Sequence, residues 1–171
     1  IMHHMDWMPT FLAAAGDDKI KEKLLKGHTA GDKTFKLHLD GYNFLPYLTG
    51  KEEKSPRNEI FYFAETGNLE AVRVGKIKAT FIHPTEESWF APRLASTWPE
   101  LVDLRADPYE EAPEHSGMYL RWYAERMFHF VPVQVEVAGL LQTFNEFPLR
   151  QEPTAFNLDR VLSTLPYREA K

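Results

Sequence analysis

Side chains able to recognise a ligand are densest between Ile82 and Leu101, where His83, Trp89, Phe90, Arg93 and Trp98 share one stretch. Two indoles and a phenyl ring offer a stacking wall for a flat apolar group. A guanidinium beside them can orient an anion or lie over a ring. With three prolines in it, 83–99 reads as a single long loop, and loops of that length commonly carry function. His83, Trp89, Arg93 and Trp98 are therefore the candidate substrate-contacting residues. In the opposing reading, Trp89 and Trp98 only pin the loop to a sheet.

Other clusters carry less chemistry. His3, His4 and Asp6 are ligand-type side chains close in sequence, but adjacent histidines point in different directions, and no metal site is assigned to them. His28, His38, His115 and His129 are dispersed, without the paired spacing of a zinc site. Asp103, Asp107, Glu110 and Glu111 form an acidic run around Pro108. The regular spacing and glycine of a calcium loop are missing, so the run reads as a turn with capping carboxylates. The absence of cysteine excludes disulfides, thiolate metal sites and thiol nucleophiles. No phosphate-cradling glycine loop, nucleophile elbow or His-Glu-x-x-His occurs. No catalytic residue is assigned.

The elements that must position these residues follow from periodicity. A helix is expected from Asp6, capped by its carboxylate, to Gly16, with Pro9 in its first turn and Trp7, Phe11 and Ala14 or Ala15 on one face. A second spans 17–25, with Ile20 and Leu24 inward. Phe35–Leu39 alternates as a strand or extended arm, Asp40-Gly41 turns, and 42–48 is a short helix interrupted by Pro46. Strands are expected within 58–64, 69–75, 76–82 and 100–104, with Val72, Val74, Ile77, Ala79 and Phe81 on one covered face. A helix over 117–130 carries the stripe Met118, Trp122, Tyr123, Met127 and Phe130, and Pro132 breaks or kinks it. The pattern resumes over 133–144 and again, as a short terminal helix, over 157–165. The expected fold is α+β: a small antiparallel sheet of three or four strands packed against a long C-terminal helix, with further short helices.

With 171 residues, 43 % of them apolar, the chain can bury a core. Its net charge of −5 argues against a nucleic-acid partner. No run of roughly 18 apolar residues marks a membrane span. The opening residues lack the basic start and apolar run of a signal peptide and enter an amphipathic pattern at once, as expected of a piece of a longer protein.

Several short strings, taken together and in order, resemble the sulfatase family. Asp6-Trp7-Met8-Pro9-Thr10-Phe11-Leu12 with Ala15-Gly16 resembles its D-x-x-P-T-x-L…A-G helix. Asp40-Gly41-Tyr42-Asn43 with Leu48-Thr49-Gly50 is similar to D-G-x-x…L-x-G, and Arg57-Asn58-Glu59-Ile60-Phe61-Tyr62 to R-x-E-x-x-F/Y. The run from Ala71 to Lys78 resembles A-V-R-x-G-x-W/Y-K, with Ile77 at the usual aromatic position. Leu101 to Glu110 resembles L-x-N/D-L-x-x-D-P-x-E. The tail, with Tyr119, Trp122 and 144–156, is similar to the extension of bacterial arylsulfatase-like members.

The resemblance implies hydrolysis of sulfate esters by a formylglycine, made from Cys or Ser in C/S-x-P-x-R, beside a calcium ion held by Asp and Asn. This chain departs from that pattern. Its only x-P-x-R is Pro148-Leu149-Arg150, with Glu146 at the nucleophile position, and glutamate cannot become formylglycine. In the family, the nucleophile and calcium ligands precede the helix that begins here. The expectation is therefore the C-terminal portion of an arylsulfatase-like enzyme, structural and substrate-shaping, inactive alone, with no cofactor of its own. Calcium and formylglycine would belong to an N-terminal catalytic domain. Residues 1–50 would join that domain, 51–116 would form the sheet subdomain and 117–171 a helical extension. The expected partner is that N-terminal domain, with self-association through Trp7, Phe11 and Leu12 as a second outcome. The competing expectation is a non-enzymatic binding module using the aromatic loop 83–99. The compartment stays open between the periplasm and cytoplasm of a bacterium.

Overall fold

A computed structural model describes residues 1–148, apart from 65, 87 and 89. Trp89 and the helix expected over 157–165 lie outside the described residues. The fold is α+β, as expected.

The N-terminal third is built from short helices. A 3-10 turn, His4–Asp6, leads into α1 (Trp7–Ala14); α2 (Ile20–Lys26) and α3 (Leu45–Leu48) follow. Pro9 and Pro46 both fall in first turns, where a missing N–H breaks no intrahelical bond. Ile20 and Leu24 are buried, and Gly27, at φ +107°, ends α2. Asp6 does not cap α1 with its side chain: the carboxylate is drawn away by the partners described below. The buried face of α1 is Pro9, Thr10 and Ala13, not Trp7, Phe11 and Ala14. Trp7 and Phe11 stack on each other at 5.2 Å on the open side, Phe11 62 % exposed. Over 35–39, expected as a strand or extended arm, only Phe35 is strand. The pairing is instead a hairpin of β1 (His28–Ala30) and β2 (Lys33–Phe35), whose turn uses Gly31 at φ +61°.

The centre is a four-stranded antiparallel meander in the order β3 (Glu59–Phe63), β4 (Leu69–Val74), β5 (Ile77–Pro84), β6 (Arg93–Asp103). Val74 pairs with Ile77 across the two-residue turn Gly75-Lys76. Gly75 has φ +60° at the first central position, the sign a type II′ turn requires. Alternation sends Val72, Ile77, Ala79 and Leu101 to one face, where they form the core with Val133. Val74 and Phe81 pack against it, so the expected covered face is the observed one.

The expected loop 83–99 is mostly sheet. β5 runs on to Pro84 and β6 begins at Arg93, with Ile82 opposite Ala95, His83 opposite Leu94 and Pro84 opposite Arg93. Three prolines suggest a loop, but each sits where sheet tolerates it. Pro84 ends a strand and Pro92 precedes one. Pro99 lies in an edge strand, in an irregular stretch where 96–99 face Phe81 alone. Only 85–92 is a true connection.

One side of the sheet is covered by α5 (Tyr119–Arg126) and α6 (Phe130–Glu146), joined by a 3-10 turn at Met127–His129; a short α4 (Ala112–His115) precedes them. Pro132 does not break the helix, because the 3-10 turn restarts it and leaves Pro132 in the first turn of α6. Trp122, Tyr123 and Phe130 meet the core as expected, and Val137 joins them; Met118 and Met127 do not, at 60 % and 37 % exposed. Their positions flank the stripe rather than facing the sheet. Trp122→Ala is expected to cost about 3 kcal/mol in urea unfolding, the low end for a large aromatic because the ring is half-buried. A loss below about 1 kcal/mol would remove Trp122 from the core. No described helix is long and apolar enough to cross a membrane.

Candidate functional site

The sheet face away from α6 is polar. Tyr62, Ala71, Thr80 and Glu100 stand in register across the four strands, and Lys78 is on the same face. Together with the β5–β6 end they line a groove of about 310 Å3 that includes His83 and Arg93. The chain beyond β6 closes one side. Asp107 accepts from the amides of Glu111 and Ala112, at 3.1 and 2.8 Å, as a capping carboxylate should. That turn holds Glu110 at φ +60°, the single non-glycine with positive φ among the described residues. Its carboxylate takes both oxygens to Lys78 Nζ, at 2.8 and 2.7 Å, and the ammonium lies 5.3 Å from the Tyr62 ring centre.

Charges in this groove are interleaved. Arg93 Nη1 donates to Glu70 at 2.5 Å. Burial pushes the Glu100 carboxyl up; His83 and Lys78 pull it down, and Glu110 and Glu114 add to the rise. Two of the four sequence-derived candidates, His83 and Arg93, thus meet in one groove. Trp98 does not join them: it is 64 % exposed and lines neither this groove nor the one beside α6. Trp98 lies in the irregular stretch 96–99, outside the paired register of β5 and β6. The guanidinium of Arg93 is tied to Glu70 and is no free anion receptor. A polar ligand with both charge signs matches this lining better than a flat ring does. Lys78, Glu100 and Glu110 were not among the sequence candidates. The register of two strands and a positive φ bring them together, and neither is written in residue spacing.

A second groove, of about 320 Å3, lies between the N-terminal segment, β3 and α6. Its floor is a buried polar knot. Arg57, with a side chain 3 % exposed, donates from Nε to Asp6 Oδ2 at 2.8 Å and from Nη2 to Asp6 Oδ1 at 2.5 Å. Nη2 also reaches the Asp40 carbonyl at 2.9 Å, and Nη1 the Glu59 carbonyl at 3.3 Å. Asp6 accepts two further amides, His3 at 2.7 Å and Tyr42 at 2.8 Å. The Tyr42 hydroxyl donates to Glu59 at 2.9 Å, while Lys21 and Arg57 each lie 4.6 Å from its ring centre. Thr10 Oγ1 donates to the Asp6 carbonyl and accepts from Phe44 N.

Titration follows the geometry. Burial alone would raise the Asp6 carboxyl; the Arg57 hydrogen bond, the Tyr42 and His3 amides and the Arg57 charge together hold it below its ordinary value. Burial and the acceptor Glu59 push the Tyr42 hydroxyl up to about 12. Burial, then the Glu59 charge, raises Glu136 at the groove wall.

Among the described residues, no three His, Asp or Glu side chains gather as metal ligands would. Asp6, Glu110 and Glu70 are each held by a cationic side chain, Arg57, Lys78 and Arg93 in turn. Compared with known proteins, the chain matches no family model and no curated protein.

Proposed function

We propose that this chain is the C-terminal portion of an arylsulfatase-like sulfuric ester hydrolase, shaping structure and substrate access without supplying the bond-breaking groups. The observation that carries the reading is the meeting of three motif strings in one knot. Asp6 of the first string, Asp40-Gly41-Tyr42 of the second and Arg57 with Glu59 of the third are far apart in sequence. They join through hydrogen bonds of 2.5–2.9 Å. Strings that co-occur because their side chains complete one another are better support than strings matched singly. The groove holding His83 and Arg93 is the surface offered to the part of the substrate beyond the ester.

The reading is tested by sequencing the coding region upstream of the Ile1 codon. A continuous frame containing C/S-x-P-x-R is expected; a frame without it removes the enzyme reading. The purified chain by itself is expected to release no nitrophenol from p-nitrophenyl sulfate with calcium present, because it carries no formylglycine precursor motif. Turnover that survives further purification would overturn this assignment of roles.

A second reading, a non-enzymatic binding module using 83–99, draws on exposure: Phe90 is 91 % exposed, Trp98 64 % and Leu94 62 %. An upstream frame lacking the motif would favour it.

A further inference from the structure

We propose that the outward face of α6 is the docking surface for residues 157–165 of this same chain. The sheet-facing side of α6 carries Phe130, Val133 and Val137, with Val133 2 % exposed. The opposite side is apolar too. Phe128, Val131 and Val135 are 61, 63 and 64 % exposed, Leu120 on α5 is 78 % exposed, and Ala124 and Ala138 are also open. On α6, Val131, Val135 and Ala138 recur every three or four residues, so they form one stripe along that helix. From Met127 to Asn145 the sole carboxylate or basic aliphatic side chain is Glu136, which lines the groove beside Tyr42 instead. A helix apolar on both sides is a helix meant to be covered on both.

The sequence contains a matching segment at a fitting distance. The described chain stops at Pro148, two residues past α6, and residues 149–171 follow. Within them Leu158, Val161, Leu162 and Leu165 stand at i, i+3, i+4 and i+7, with Asp159, Arg160, Ser163 and Thr164 in the other places. Residues 149–156 can span roughly 25 Å when extended. Running back along α6 from Glu146 to Val131 takes about 22 Å. A second copy suits the stripe less well. A standard interface takes about 800 Å2 from each partner, more than a strip one helix wide offers. A short tether instead holds its own segment at roughly millimolar effective concentration. The inference does not depend on the sulfatase resemblance.

The absence of cysteine makes the test clean. Pairs of cysteines are placed in the full chain, one at Val131, Val135 or Ala138 and one at Leu158 or Leu162, and oxidised at low protein concentration. A disulfide forms only where the two Cα atoms come within about 7 Å. At least one stripe pair is expected to close within the monomer about tenfold faster than its counterpart with Ser163→Cys, which leaves the stripe. Equal rates, or disulfide-linked dimers in place of closed monomers, would overturn the proposal. Should oxidation perturb folding, the single Val135→Cys chain gives a second readout. Its labelling by an uncharged thiol reagent should speed up severalfold when Leu158→Asp and Leu162→Asp are added, and an unchanged rate would also overturn it.

Discussion

Arg57→Ala is expected to lower the free energy of unfolding by about 3–5 kcal/mol, the range for removing one partner of a buried ion pair. Whole domains of this size are stable by only about 5–15 kcal/mol, so the variant should be at the edge of folding. The cause is what the substitution leaves behind. Asp6 is fully buried and would keep its charge with only the His3 and Tyr42 amides to hold it. The carbonyls of Asp40 and Glu59 would lose a donor at the same time. Arg57→Lys should recover little. A single ammonium cannot take both Asp6 oxygens and the Asp40 carbonyl in the geometry of the guanidinium fork. The double variant Asp6→Ala/Arg57→Ala should cost clearly less than the two single losses added, because the second removal no longer strands a charge. Urea midpoints for the four chains measure this, and additive losses would mean that the knot is not one unit.

The same knot fixes the sign of the acid response. The folded Asp6 carboxyl lies below its unfolded value of 3.8, so the stability it lends is present above that value. It is lost as pH falls through the lower folded value. Glu100 and Glu136 are raised and act oppositely. Their contribution is full below the unfolded value and fades as pH rises through the folded one. Asp6→Asn should therefore flatten the acid limb of the wild-type stability curve.

Periodic signals in the sequence located what periodicity can encode. Val72, Val74, Ile77, Ala79 and Phe81 alternate, and alternation alone puts them on one face, so the hairpin and its cover were legible. Proline counts misled over 83–99, because proline is tolerated at the end of a strand, as at Pro84, and within an edge strand, as at Pro99. Met118 and Met127 fit the helical spacing loosely enough to seem part of the stripe, yet sit at its margins. The candidate site was less legible still. His83 and Arg93 meet because β5 and β6 extend further than their composition suggests. Lys78 and Glu110 meet through a turn whose positive φ no residue type announces, since the residue there is glutamate and not glycine or asparagine.

Gly41→Ala is expected to destabilise the chain by about 4 kcal/mol, combining the cost of overpacking with that of stretched charge-assisted hydrogen bonds. Asp40-Gly41 looks like an ordinary turn, with glycine chosen for its freedom of φ. Its backbone takes no unusual φ; the constraint is distance. A Cβ at Gly41 would lie 2.2 Å from the carbonyl oxygen of Met5, 2.9 Å from the Met5 carbonyl carbon and 3.1 Å from Pro9 Cγ. The first contact is backbone against backbone, so no rotamer change relieves it. Either the 3-10 turn before α1 or the 40–42 segment must move by nearly an ångström. Both are pinned to the knot: Asp40 through its carbonyl to Arg57, Tyr42 through its amide to Asp6. Moving either stretches bonds to buried charges. Gly117→Ala is the control, since nothing lies within 4 Å of its added Cβ and its φ is ordinary. That variant should stay within about 1 kcal/mol of the parent and on the stable side. Equal thermal midpoints for the two variants would mean that the close approach of 41 to Met5 does not exist in solution. The expected gap would show that this glycine is required because two backbones touch there.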